Sequence, residues 1–295
     1  MVKSDVSSKY KKLDPREHVL ARPGMYIGSI DSDEVKCWIY SDEMKYETIA
    51  YVSGLYKIYD EILVNVLDHV VRCSGTPKPV KEIKVTICKE TGKIEVYNSG
   101  EGIEIEKHEV HDVYIPELVF GNMLTSTNYD DETERTIGGQ NGIGAKACNI
   151  YSTLFTIETV DSTRKKHYYQ EFHDNMSKKT EPLITKYTKI PYTKIAFIPD
   201  YGKFGVKNLS NDMFHLMKKR VYDMCALTPS DVKVSFNETK IEIKNFDTYT
   251  NLYLGVSKTE CPRVYFNDEN NRWNVCVSAS NYGFQQVSFV NGIYT

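Results

Sequence analysis

Between residues 54 and 73, apolar side chains recur at the spacing of a buried helix, broken on one side by polar residues. Ile58, Ile62, Leu63, Val66, Leu67, Val70 and Val71 cover most of the circumference. Glu61, Asn65 and Asp68, four and three apart, share the remaining face. The pattern predicts a helix that starts near Gly54 and stops at the breaker Ser74, Gly75, Thr76 and Pro77. Alternation then replaces helical spacing. Ile83, Val85 and Ile87 predict a strand over 82–88, Ile94 and Val96 another over 93–97, and Thr91–Gly92 the hairpin turn between them.

Farther along, the pattern predicts a helix over 117–125, after Pro116, and a short one over 145–151. The polar, glycine-rich stretch 126–144 between them has the length of a lid or a disordered segment. Strands are expected over 154–160, 166–172, 194–199 and 233–236. Met213, Phe214, Leu216, Met217, Val221 and Met224 predict an amphipathic helix over 211–227. Residues 1–18 are polar, with Tyr10 as the only aromatic, and read as an arm. Residues 22–28 form a Pro–Gly turn closed by Gly28. From about Phe246 the chain turns rich in Tyr and Asn and closes with strands expected over 273–279 and 284–290. These last fifty or so residues are too few to bury a core alone, so they read as the start of a second domain in a truncated chain.

Composition excludes more than it assigns. The 37 Lys and Arg against 40 Asp and Glu leave a net charge of −3, without the basic footprint of a fragment that wraps DNA. The seven cysteines are scattered singly and none forms C-x-x-C, which argues against both a disulfide framework and a zinc site. No stretch approaches the roughly 20 apolar residues of a membrane span, and polar residues follow Met1. A soluble intracellular protein without a membrane role is expected. His108, His111 and Asp112 lie close together but on a short polar stretch, and read as surface residues rather than a metal site.

Three segments carry candidate chemistry. Glu61 and Asn65, one turn apart, can hold a water and a Mg²⁺, a pairing suited to nucleotide hydrolysis; the same residues also read as a satisfied polar pair on a core-edge helix. Asn98 at a strand end, beside Gly100 and Gly102, has the donor and acceptor to read a base edge. The run Gly138–Gly139–Gln140–Asn141–Gly142–Ile143–Gly144–Ala145–Lys146 offers backbone N–H groups and a helix start to phosphates. It is not a Walker A loop, because Ala145–Lys146 follows Gly144 where Lys-Ser/Thr is required, and no dinucleotide fingerprint is present.

In this order, Glu61-x₃-Asn65-x₂-Asp68, Asn98-x-Gly100-x-Gly102 and Gly139-x-Asn141-Gly142-x-Gly144-x-Lys146 resemble the nucleotide motifs of the GHKL ATPases, which include gyrase-type topoisomerases, Hsp90 chaperones, MutL and histidine kinases. The runs 20–29, 54–65 and 125–131 resemble the ATPase domain of eukaryotic-type DNA topoisomerase II, and 283–291 resembles the start of its transducer. The resemblance implies an α+β fold, the GHKL (Bergerat) α/β sandwich over 19–245, with the beginning of a transducer over 246–295. An Hsp90-like chaperone, a MutL-like repair ATPase and a non-catalytic nucleotide-gated dimerisation module are the alternatives.

By the same resemblance, Glu61 is the general base for the water that attacks the γ-phosphate, held ionised by a neighbouring donor, and Asn65 ligates Mg²⁺. Asn98 meets the adenine side. Ser126, Thr127 and Asn128 bond sugar and phosphate oxygens. Gly139, Gln140, Asn141, Gly142, Ile143, Gly144, Ala145 and Lys146 wrap the triphosphate of ATP, Lys146 standing either as an added charge or as a solvated lysine at a helix start. Tyr10 caps the nucleotide of the partner protomer, or belongs to an arm with an incidental aromatic. Two departures mark a divergent member, viral or protist. His69 stands where Asn usually follows the Asp, and Gln140 and Ile143 replace an Arg and a Tyr; an engaged Arg there would be worth about 1–2 kcal/mol of nucleotide affinity. The implied whole is an ATP-driven homodimeric clamp that captures double-stranded DNA, acting in the nucleus or wherever that DNA resides. A transducer lysine from beyond residue 295 completes the site in the family, so nucleotide binding with little hydrolysis is expected of this chain.

Overall fold

A computed structural model describes residues 12–123, 142–268, 273–280 and 283–295. The described residues open with helix α1 (Pro15–Ala21), started by a capping box in which Asp14 and Glu17 each bond the other's backbone N–H, and the short turn α2 (Pro23–Tyr26). Val19 is fully buried and its carbonyl accepts a bond from the Tyr151 hydroxyl at 2.9 Å, which docks this helix on the domain. An antiparallel hairpin, β1 (Ser32–Tyr40) and β2 (Met44–Val52), precedes the long helix α3 (Ser53–Cys73). Strands β3 (Glu82–Ile87) and β4 (Ile94–Ser99) pair antiparallel as expected, around Gly92 at φ +69°.

Helix α4 (Ile115–Gly121) starts two residues earlier than expected, because Pro116 fits its first turn, and is over by Gly121. Helix α5 (Gly144–Ile150) leads into β5 (Ser152–Asp161), β6 (Lys166–His173), the short β7 (Lys178–Lys179) and β8 (Leu183–Lys186), and β9 (Tyr192–Pro199). Helix α6 (Asn211–Leu227), capped by Ser210, has the expected bounds. It is followed by β10 (Lys233–Phe236) and β11 (Thr239–Lys240). The last segment holds helix α7 (Phe246–Leu254), capped by Asn245, and two small hairpins, β12 (Arg263–Asn267) with β13 (Asn274–Ser278) and β14 (Phe289–Val290) with β15 (Ile293–Tyr294). Of the strand expected over 284–290, only its last two residues pair.

Among the described residues, nine strands form the main sheet, in the order β11-β10-β3-β4-β9-β5-β6-β7, with β8 also on β6, and only β10 and β3 run parallel. Helices α3, α4, α5 and α6 cover one face, giving a two-layer α+β sandwich. The core between the layers joins Ile58, Ile62, Leu63 and Val66 of α3 to Ile83, Val96, Phe155, Ile157 and Phe197 of the sheet. Val71 departs from the expected apolar face. It lies in the last turn of α3 and is 44% exposed.

Candidate functional site

Lys57, Glu61, Asn65 and His69 recur every four residues along α3 and are half-buried, the last three between buried neighbours. The Glu61 carboxylate pairs with Lys57 at 2.6 Å, the neighbouring donor expected from the sequence. Opposite it, α5 begins. A Cβ built on Gly144 would lie 1.7 Å from Glu61 Oε2, so only a residue without a side chain lets this helix start approach the carboxylate. Gly142, at φ +60°, turns the chain into that start. Two residues beyond Gly144, Lys146 is 3% exposed, and its Nζ donates to the Gly142 carbonyl at 2.5 Å. It is not a solvated lysine. Burial pulls its ammonium down to about 8.

Asn98 sits near the end of β4, opposite Ile83 and Thr193, and is buried. Its side-chain N–H donates to the Ser99 carbonyl at 3.0 Å. The loop that follows is pressed onto β5: the Ile103 N–H donates to the Thr159 hydroxyl, and a Cβ on Gly102 would lie 1.9 Å from the Val160 carbonyl oxygen. His69 Nε2 lies 3.3 Å from the Cys73 thiol. Desolvation, then the Arg72 charge, lower its pKa, against the backbone of Glu101, which raises it.

Glu61, Gly142, Ile143, Gly144 and Lys146 thus meet where α3 and α5 pack. Asn65 and the buried Asp68 continue the same helix, while Asn98 lies on the strand beneath it. Tyr10, Ser126, Thr127, Asn128, Gly139, Gln140 and Asn141 lie outside the described residues.

A family model described as histidine kinase-, DNA gyrase B- and HSP90-like ATPase matches residues 51–176, which hold all of this geometry. The crystal structure of the ATPase region of Saccharomyces cerevisiae topoisomerase II superposes with a TM-score of 0.91 at 44% identity, covering 98% of this chain and 75% of that one. The chain belongs to the topoisomerase II ATPase family. The ATPase and transducer domains of DNA topoisomerase II from Balamuthia mandrillaris match with a TM-score of 0.89 at 37% identity, over 97% of this chain and 72% of that one. DNA topoisomerase 2 of Arabidopsis thaliana is 46% identical over 98% of this chain and 20% of its own length. The chain spans about a fifth of the curated relatives it matches.

Within this topoisomerase II ATPase fold, two features escaped the sequence. Lys57 lies one turn before Glu61, and the i, i+4 spacing of opposite charges was the available signal. Asp60 is 5% exposed and bonds Arg220 of α6 at 2.6 Å. No local pattern could pair residues 160 positions apart. Among the described residues, no group of three or more His, Cys, Asp or Glu could hold a metal ion, and no helix is long and apolar enough to cross a membrane.

Proposed function

We propose that this chain is the ATP-binding and ATP-hydrolysing clamp of a type II DNA topoisomerase. One observation carries the reading: Gly144 abuts the Glu61 carboxylate, so that the end of the glycine-rich run and the candidate base share one space. In this reading Glu61 polarises the water that attacks the γ-phosphate, with Lys57 pairing with its carboxylate and aiming it. The backbone from Gly142 to Ala145 and the ammonium of Lys146 face the triphosphate, with Gly139, Gln140 and Asn141 before them. Asn98 meets the adenine side, and Ser126, Thr127 and Asn128 the sugar and phosphates.

Asn65 suits Mg²⁺ by donor chemistry, since its carboxamide supplies one hard oxygen and the nucleotide supplies the others. The bound ion would neutralise phosphate charge. Residues 1–18 would be the arm, with Tyr10 reaching the partner protomer, and 246–295 the start of the transducer. Nucleotide-driven dimerisation would capture a DNA duplex for strand passage by the longer enzyme.

The test is Glu61→Ala. In this chain the variant should bind a non-hydrolysable ATP analogue with Mg²⁺ as tightly as the parent by calorimetry; placed in the longer enzyme, where the site is complete, it should lower phosphate release from ATP at least about 100-fold. Unchanged release would remove Glu61 as the base. An increase in light-scattering mass from monomer to dimer only with both ligands supports the clamp, whereas an unchanged mass counts against nucleotide-driven closure by this chain.

A further inference from the structure

Next to Glu61, about 100° around α3, the charges are sealed in. Arg220 of α6 is fully buried. Its Nε donates to Asp60 Oδ1 at 2.6 Å, and its Nη2 donates to the Gly292 carbonyl at 2.6 Å. One guanidinium therefore holds α3 with one arm and the turn between β14 and β15 with another. The guanidinium carbon lies 5.5 Å from the centre of the Phe289 ring, at the edge of the same turn. Lys219 stands next to it, its Nζ 4.7 Å from the Tyr294 ring and 2.9 Å from Asp223, which also accepts from the Tyr249 hydroxyl.

The turn meets α3 at a second point. Gly292 adopts φ +80°, and a Cβ there would lie 3.1 Å from Leu67 Cδ1. Beside that contact, Leu67, Asp68, Val71, Leu227, Asn291 and Gly292 line a cavity of about 190 Å³. The turn is thus held at discrete points, with space to shift between them. A displacement would be passed through Arg220 to Asp60, the residue that precedes Glu61.

We infer that Arg220 is a positioning residue that couples the 289–294 turn to helix α3, so that the seating of this turn sets the placement of Glu61 and Asn65. This rests on the reading of those two residues as the nucleotide site. A guanidinium is needed because its fixed fork reaches two acceptors at once, which an ammonium does not reproduce.

The test compares two variants with the parent chain. Arg220→Lys keeps the charge and loses the fork. The double variant Phe289→Ala with Tyr294→Ala loosens the turn by removing the rings that Lys219 and Arg220 lie against, without changing any residue of α3 or α6. In both, backbone amide exchange over residues 61–67 should speed up by about tenfold or more, while exchange in β5 and β6 stays unchanged. Placed in the longer enzyme, both variants should lower turnover with little change in KM for ATP. Uniformly faster exchange, or unchanged exchange over 61–67 in the double variant, would overturn the coupling. If Arg220→Lys fails to fold, the double variant decides alone. A parent chain that fails to bind ATP would defeat the proposed function, while the exchange measurement would still decide the coupling.

Discussion

Asp60 and Glu61 are consecutive carboxylates on one helix, and their surroundings are opposites. Asp60 is closed off with Arg220, and both are 5% exposed or less. The Glu61 side chain is 22% exposed, its partner Lys57 is 41% exposed, and the backbone facing it is a glycine. A buried pair cannot change partners, because each charge would be left desolvated. A half-exposed pair separates at little cost, since its Coulomb gain is small beside solvation. On one side of α3 the charge is framework; on the other it is available to a ligand.

The largest expected effect tests that contrast directly. Asp60→Ala strands the Arg220 guanidinium in the core and should cost about 3–5 kcal/mol in urea denaturation. Glu61→Ala should change stability by no more than about 1 kcal/mol. Equal costs would erase the distinction between the two faces.

A pair of glycines sharpens it. At Gly102 the added methyl meets the Val160 carbonyl, which belongs to a strand of the main sheet and cannot yield. Gly102→Ala should therefore destabilise by about 1–3 kcal/mol, as overpacking does. At Gly144 the methyl meets the end of a carboxylate that can rotate away, so Gly144→Ala should cost less than about 1 kcal/mol. Its loss should fall on phosphate release instead, because Glu61 is driven from its place. A stability loss at Gly144 larger than that at Gly102 would mean that the Glu61 side chain is as fixed as backbone.

The same contrast explains what could be read in the chain. Helix α3, helix α6 and the β3–β4 hairpin follow their apolar periodicity, and Glu61 stands out because it interrupts that periodicity. The β1–β2 hairpin was not legible. Asp33, Glu34, Val35 and Lys36 are all exposed, so burial imposes no alternation there, and the pair is held by its own ladder and by α6. Helix α7 is built on Phe246, Thr248, Tyr249, Thr250 and Tyr253, weak helix formers that hold through the Asn245 cap and the Tyr249 bond to Asp223. In α6, the consecutive charges Lys218, Lys219 and Arg220 carry no local signal of burial, yet Lys219 and Arg220 are buried, because their acceptors come from α3, α6 itself and the final turn. Lys146 was ambiguous for the same reason: sequence spacing could not tell that α5 would pack its first turns inward.

Lys146 supplies the smallest and most conditional test. Burial lowers its pKa from 10.5 to about 8. Between those values the unfolded chain holds a proton that the folded chain has released, so this group's cost to stability is complete below pH 8 and disappears as pH rises toward 10.5. Nucleotide affinity runs the other way. A triphosphate favours the ammonium form, so above about pH 8 binding must take up a proton, and the dissociation constant should rise by up to about tenfold per pH unit. Calorimetry with a non-hydrolysable ATP analogue from about pH 7 to about pH 9.5 should show this slope in the parent and a flatter one in Lys146→Met. Parallel slopes would move Lys146 from the phosphates to the framework, in the company of Arg220.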